Sequence, residues 1–129
     1  MTLADGDQIE LTITPDRYTT IRYAGASGDF NPIHIDEEFA LKVGLPGRIL
    51  HGLWSMAQVA RAATEAAGGD PTALRSLSVQ FRGMGQMESE IVVRGEVKSV
   101  VDGVVTAKLE AVQGDTRLIR NAVAELRAL

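Results

Sequence analysis

An α+β fold is predicted, with one long helix packed on a curved antiparallel sheet, and three observations predict it. The sixteen residues from Gly52 to Ala67 are apolar nearly all round, the pattern of a helix buried on most sides. Four segments after it alternate apolar and polar residues as half-buried strands do. One such segment precedes it, Ile9 to Thr14. A helix of that length spans about 24 Å, so its natural burial partner is a sheet that wraps around it.

Taken in order, Ile9 to Thr14 is the first strand. Thr14-Pro15 reads as an N-cap followed by proline at the first helical position, opening a helix that runs to about Ser27. Gly28 closes it in a left-handed conformation. Proline pushes the residue before it towards extended geometry, so Asn31-Pro32 makes Asp29 to Ile35 an irregular connection. Asp36 caps a short helix from Glu37 to Val43, ended by Gly44 and the turn Leu45-Pro46-Gly47.

In the long helix, Gln58, Arg61 and Glu65 form the one polar strip, at i, i+3 and i+7. Leu77, Val79 and Phe81 alternate with Ser78, Gln80 and Arg82, and Ile91, Val93 and Val97 with Arg94, Glu96 and Lys98. Asp102-Gly103 turns into Val104 to Gln113, and Gly114-Asp115 into Thr116 to Leu126. The second half therefore reads as an antiparallel meander. Gly83-Met84-Gly85 leads into a strand and not a helix, so it is no phosphate loop.

With 129 residues, 45% of them hydrophobic and 23% charged, the chain is expected to form a single globular domain, 1–129. The absence of cysteine excludes disulfides, thiolate zinc sites, iron–sulfur clusters and a cysteine nucleophile, and fits a reducing cytoplasm. A net charge of -4 argues against nucleic acid as the partner. Met1 to Asp7 has no basic region followed by an apolar stretch, and no run approaches a membrane span, so neither a signal peptide nor membrane insertion is expected.

The densest group of polar, conformationally restricted residues runs from Tyr23 to Asp36: Y-A-G-A-S-G-D-F-N-P-I-H-I-D. A bend across Pro32 can bring Asp29 and His34 to one point. A carboxylate beside an imidazole holds a water or hydroxyl with one group while the other moves a proton at neutral pH. The plainer alternative is that Asp29 and Asn31 form turn hydrogen bonds and His34 is a satisfied surface histidine. A metal set of Asp29, His34, Asp36 and His51 is chemically permissible, but no recognised ligand spacing supports it, and no metal is expected.

No Ser, Thr, Asp or Asn precedes the helix that begins at Gly52. Its free amides and positive dipole end suit a developing oxyanion, and glycine admits a close substrate. Equally, water satisfies these amides and Gly52 is a tolerated cap. His51, at this turn, is read as ordering it. Leu53, Trp54, Met56 and Val59 line a pocket for an apolar chain in one reading and the core in another. Ten arginines against three lysines suit phosphate recognition, although their scatter reads mainly as solvated faces.

The stretch Tyr23 to His34, with Ala40 six residues on, resembles the hydratase-2 motif of the MaoC-like (R)-specific enoyl thioester hydratases and 3-hydroxyacyl thioester dehydratases. Gly44-Leu45-Pro46 through His51-Gly52-Leu53-Trp54-Ser55-Met56 resembles that family's approach to its central helix, so the motifs cover about Tyr18 to Arg82. Within the family the look is nearest to the catalytic subunit of the fatty-acid-elongation dehydratases of mycolic-acid-making bacteria. The resemblance implies a hot-dog fold and a dimer, a homodimer or a heterodimer. It implies Asp29 and His34 as the catalytic pair, Asn31 as support for their loop, and Gly52 N–H as oxyanion donor. It implies an acyl thioester substrate carrying coenzyme A or the phosphopantetheine of an acyl-carrier protein, with no dissociable cofactor. A hot-dog acyl thioesterase and a noncatalytic acyl-binding subunit of a heteromeric complex are the competing readings. Two departures stand out. The position where some members carry a helix serine is Ala60, with Ser55 a turn earlier, and Gly83 to Glu88 replaces the family's proline and Gly-Asp pair.

Overall fold

The computed structural model describes residues 2–128; Met1 and Leu129, the ends of the expected 1–129 domain, lie outside them. Along the chain come β1 (Gln8–Ile13), α1 (Thr19–Ser27), α2 (Pro32–Ile35), α3 (Glu37–Lys42), α4 (Gly52–Ala66), a one-turn 3-10 helix (Pro71–Ala73), β2 (Leu74–Phe81), β3 (Ile91–Val101), β4 (Val104–Gln113) and β5 (Thr116–Arg127). The five strands form one antiparallel sheet in the order β1-β3-β4-β5-β2. It wraps α4, which is the hot-dog arrangement.

α4 buries Ser55, Val59, Ala62 and Ala63, the i, i+4, i+7, i+8 face of a helix against a sheet. Small residues let it sit close to the strands, whose inward side chains include Ile91, Val93, Val97, Val105, Leu109, Ile119 and Leu126. Arg61 and Glu65 remain on the solvent side and pair at 2.8 Å. Gln58, expected with them, is buried instead: its Nε2 turns back to the carbonyl of Trp54 at 3.4 Å, folding the side chain against its own helix.

β3, β4 and β5 form the expected meander, with Asp102 and Gly103 both at positive φ, 51° and 76°, as a two-residue type I′ turn requires. β2 does not join it next to β3. It pairs with β5 at the opposite edge, because residues 82–90 cross the end of the sheet. Arg82 and Gly83 donate to the carbonyls of Leu118 and Arg117 on β5 at 2.9 and 2.8 Å. The buried Gln113 at the end of β4 then clamps the crossing, accepting from Gln86 N and donating to the carbonyls of Gln86 and Ser89. Gly85 is needed there, since a Cβ would lie 2.8 Å from Leu50 Cδ1.

Two local expectations are corrected. α1 begins at Thr19 and not behind Thr14, because the Asp16 carboxylate accepts from Tyr18 N at 2.8 Å and makes its own turn after Pro15. Asp29 to Ile35 is not wholly irregular: Pro32 opens α2 at its first position, and Asn31 Oδ1 caps it by accepting from Ile33 N at 3.2 Å. The proline bars Asn31 from a helix and starts one itself. The Asp36 cap on α3 is present, accepting from Phe39 N at 3.0 Å.

Candidate active site

A relay of short-range turns carries the chain from α1 into α2. Gly28, at φ 79°, ends α1 and donates to Ala24 O. Ser27 Oγ accepts from Asp29 N at 3.1 Å, and Asp29 Oδ1 accepts from Asn31 N at 3.2 Å. The turn-forming reading of Asp29 and Asn31 is therefore correct, and it is compatible with the other. Only Oδ1 is occupied, while Oδ2 faces His34 Nε2 at 3.9 Å and His51 Nε2 at 4.0 Å.

His34 is not a surface histidine; it is 8% exposed. Its Nδ1 lies 2.7 Å from the carbonyl oxygen of Ile49. A carbonyl only accepts, so Nδ1 carries the proton, and in the neutral ring Nε2 presents a lone pair towards Asp29. A gap of 3.9 Å is too wide for a direct hydrogen bond and fits one oxygen atom bonded to both groups at about 2.8 Å.

His51 precedes α4 without capping it by its side chain. Its Nε2 donates to the carbonyl of Asp29 at 3.0 Å, and its ring stacks on His34, centroids 3.8 Å apart and planes at 23°. Tyr23 closes the other side at 4.8 Å and 58°. Asp29, His34 and His51 offer ligand atoms within 4.8 Å of one another. In this tautomer Nε2 of His51 gives its proton to the Asp29 carbonyl and the ring's lone pair lies on Nδ1, so Nε2 of His51 is not available to a cation as the site is hydrogen-bonded. Asp36, the fourth residue weighed for a metal, is engaged as the cap of α3.

Asp29, His51 and Gly52 open onto a cavity of about 300 Å³ completed by Tyr23, Ser27, Leu53 and Phe81. Gly52 is the first residue of α4, where N–H groups lack intrahelical partners and the dipole is positive. A Cβ on it would lie 3.2 Å from two carbons of the Phe81 ring. The expected acyl-pocket residues diverge. Leu53 stands 61% exposed at the cavity, Trp54 lines a second cavity of about 330 Å³ with Ile13, Pro15 and Tyr23, and Met56 packs against the core. Sequence reasoning assigned nothing to Tyr23, Ser27 or Phe81. The available signal was the i, i+4 spacing of Tyr23 and Ser27, which puts both on one face of α1.

Among the described residues no helix is long and apolar enough to cross a membrane. The model of the MaoC like domain family matches residues 5–119. The fatty acid synthase β subunit TOXC of Cochliobolus carbonum is 36% identical over 90 residues, 69% of this chain and 4% of that protein. The peroxisomal enoyl-CoA hydratase 2 of Arabidopsis thaliana is 45% identical over 56 residues, 43% of this chain and 18% of that one. The chain thus spans a small part of these relatives. Among solved structures, the (R)-hydratase from A. caviae involved in PHA biosynthesis superposes with a TM-score of 0.87 at 19% identity, covering 97% of each chain.

Proposed function

The chain belongs to the MaoC-like domain family, and from that premise we propose that it catalyses the reversible addition of water to trans-2-enoyl thioesters, run in reverse as dehydration of (R)-3-hydroxyacyl thioesters. One observation carries this reading: Oδ2 of Asp29 and the unprotonated Nε2 of His34 face each other across 3.9 Å, beside the amide end of α4. The hydratase among the relatives supports the reaction class.

Two acceptors 3.9 Å apart hold a water by both of its O–H groups, leaving an oxygen lone pair for C3. As the C3–O bond forms, one water proton passes to the pair and the C2=C3 π electrons move onto the thioester as an enolate; the pair then returns that proton to C2, which restores both groups. Dehydration retraces this: the pair removes the C2 proton, the 3-hydroxyl leaves as water, and the double bond re-forms. In this reading Gly52 N–H stabilises the enolate oxygen, Asn31 holds the α2 turn, and Leu53 meets the acyl chain. The thioester brings its own coenzyme A or phosphopantetheine, and no other cofactor enters the steps. The working unit is a dimer, with the open edge of β2 and the exposed Phe81 beside it as the surface a second copy covers.

The test is absorbance of the conjugated enoyl thioester on adding purified protein to crotonyl-coenzyme A, followed by longer enoyl chains and carrier-protein thioesters, with a parallel thiol assay. Loss of conjugation without thiol release, abolished in Asp29→Asn and His34→Ala, is expected. Thiol release would replace the reading with a thioesterase, and inactivity on every substrate with a binding subunit.

A further inference from the structure

We propose that His51 is a positioning residue that sets the geometry of the Asp29–His34 pair, an inference that rests on the reading above and deepens it. One buried ring reaches both members. Its Nε2–H holds the carbonyl of Asp29 at 3.0 Å, and its face lies 3.8 Å from that of His34. Asp29 has two other tethers, Ser27 Oγ on its amide and Asn31 N on its Oδ1, and the ring of His34 has one, Ile49 O on its Nδ1. These tethers hold Asp29 within the turn between α1 and α2 and the His34 ring to the segment before α4, and none of them joins Asp29 to the ring of His34. His51 does, and as the chain neighbour of Gly52 it also registers the pair against the first amide of α4.

The other nitrogen of the ring argues that the Nε2–H is retained for this purpose. Nδ1 of His51 is buried with no hydrogen-bond partner, and an orphaned buried acceptor costs stability. The ring is 2% exposed between Tyr23 and His34, a slot that a phenyl ring would fill without that penalty. What imidazole adds over phenyl is the single donor that Asp29 accepts.

Two variants separate donor from ring. His51→Phe keeps the ring and removes the N–H; His51→Gln removes the ring and keeps an N–H at the reach of Nε2. If the donor positions Asp29, His51→Phe lowers kcat about 10²-fold with KM little changed, the size expected from misplacing a reacting group by about 1 Å. His51→Gln then recovers at least about tenfold of that loss, and thermal midpoints show both variants folded. Wild-type kcat in His51→Phe, or equal losses in the two variants, overturns the proposal. A second arm is independent of turnover. Side-chain ¹⁵N spectra of the wild type should show His51 protonated at Nε2 and bare at Nδ1, and the Asp29 carbonyl ¹³C shift should move in His51→Phe and stay in His51→Gln. Protonation at Nδ1 of His51 overturns the tether even in an active enzyme. Inactivity of the wild type with the expected spectra instead refutes the proposed reaction and leaves the tether standing.

Discussion

Nδ1 of His34 lies 2.7 Å from the carbonyl oxygen of Ile49, and that one bond decides which nitrogen faces Asp29. Because the backbone carbonyl must receive a proton, Nε2 is the acceptor in the neutral ring. Substituting either partner of the pair should therefore disable the same water. His34→Ala and Asp29→Asn are each expected to lower kcat by about 10² to 10⁴, the usual worth of a positioned acid or base. The double variant should lose little more than the worse single one, since groups acting as a unit are not additive. Steady-state kinetics of the three proteins decide it, and multiplicative losses would mean that the residues act on separate steps.

Gly52 is expected to be constrained by function more than by stability. A Cβ there meets Phe81 ring carbons at 3.2 Å, a contact that a shift of a few tenths of an ångström in that side chain relieves. Gly52→Ala should cost less than about 1 kcal/mol of stability and still lower kcat/KM at least tenfold, because the methyl group stands before the first amide of α4. Urea unfolding beside kinetics checks both halves. A large stability loss with proportionate activity would assign the glycine to packing.

How much of this was legible in the sequence depended on the range of the interaction. Asp102-Gly103 and the alternation of β3 and β4 are local signals, and they were read correctly. The start of α1 was misplaced because the Asp16 side chain outcompetes the Thr14-Pro15 signal for the next amide. α2 escapes the sequence because Pro32 reads as a breaker, although proline also fits the first position of a helix. The place of β2 beside β5 rests on Gln113 reaching Gln86 across 27 residues, for which no periodicity exists. In the site, Asp29 and His34 lie in one motif and could be paired. The bond from His51 to Asp29 spans 22 residues and left no trace beyond a histidine where a cap was expected.

Two glycine substitutions should have opposite signs. On Gly95, in the middle of β3, a Cβ would lie 2.9 Å from Leu109 Cα and closer still to the carbonyl of Lys108, both backbone atoms of the paired strand. Neither atom can move without parting two central strands, so Gly95→Ala should cost about 2 kcal/mol or more. Gly25 sits inside α1 with open space where its Cβ would be, and Gly25→Ala should stabilise by about 0.5 to 1 kcal/mol through helix propensity alone. Denaturant midpoints of the two variants against wild type test the pair, and a neutral Gly95→Ala would refute the close approach of β3 and β4.

Asp16 makes the acid limit of α1 testable. The Arg22 guanidinium, bonded to both carboxylate oxygens at 3.0 and 2.9 Å, and then the amide of Tyr18 hold its pKa below the ordinary 3.8, against a smaller opposing effect of burial. A carboxyl group with a lowered folded-state pKa binds fewer protons folded than unfolded in acid. Its contribution is therefore present above the unfolded value and lost as pH falls through the folded one. The gap in urea midpoint between wild type and Asp16→Asn should be constant from pH 7 to about 5 and close progressively below about pH 4. Both groups are exposed, so added salt should shrink the gap as well. No gap at neutral pH would show that Asp16 acts through the geometry of its turn, which asparagine also forms, and not through its charge.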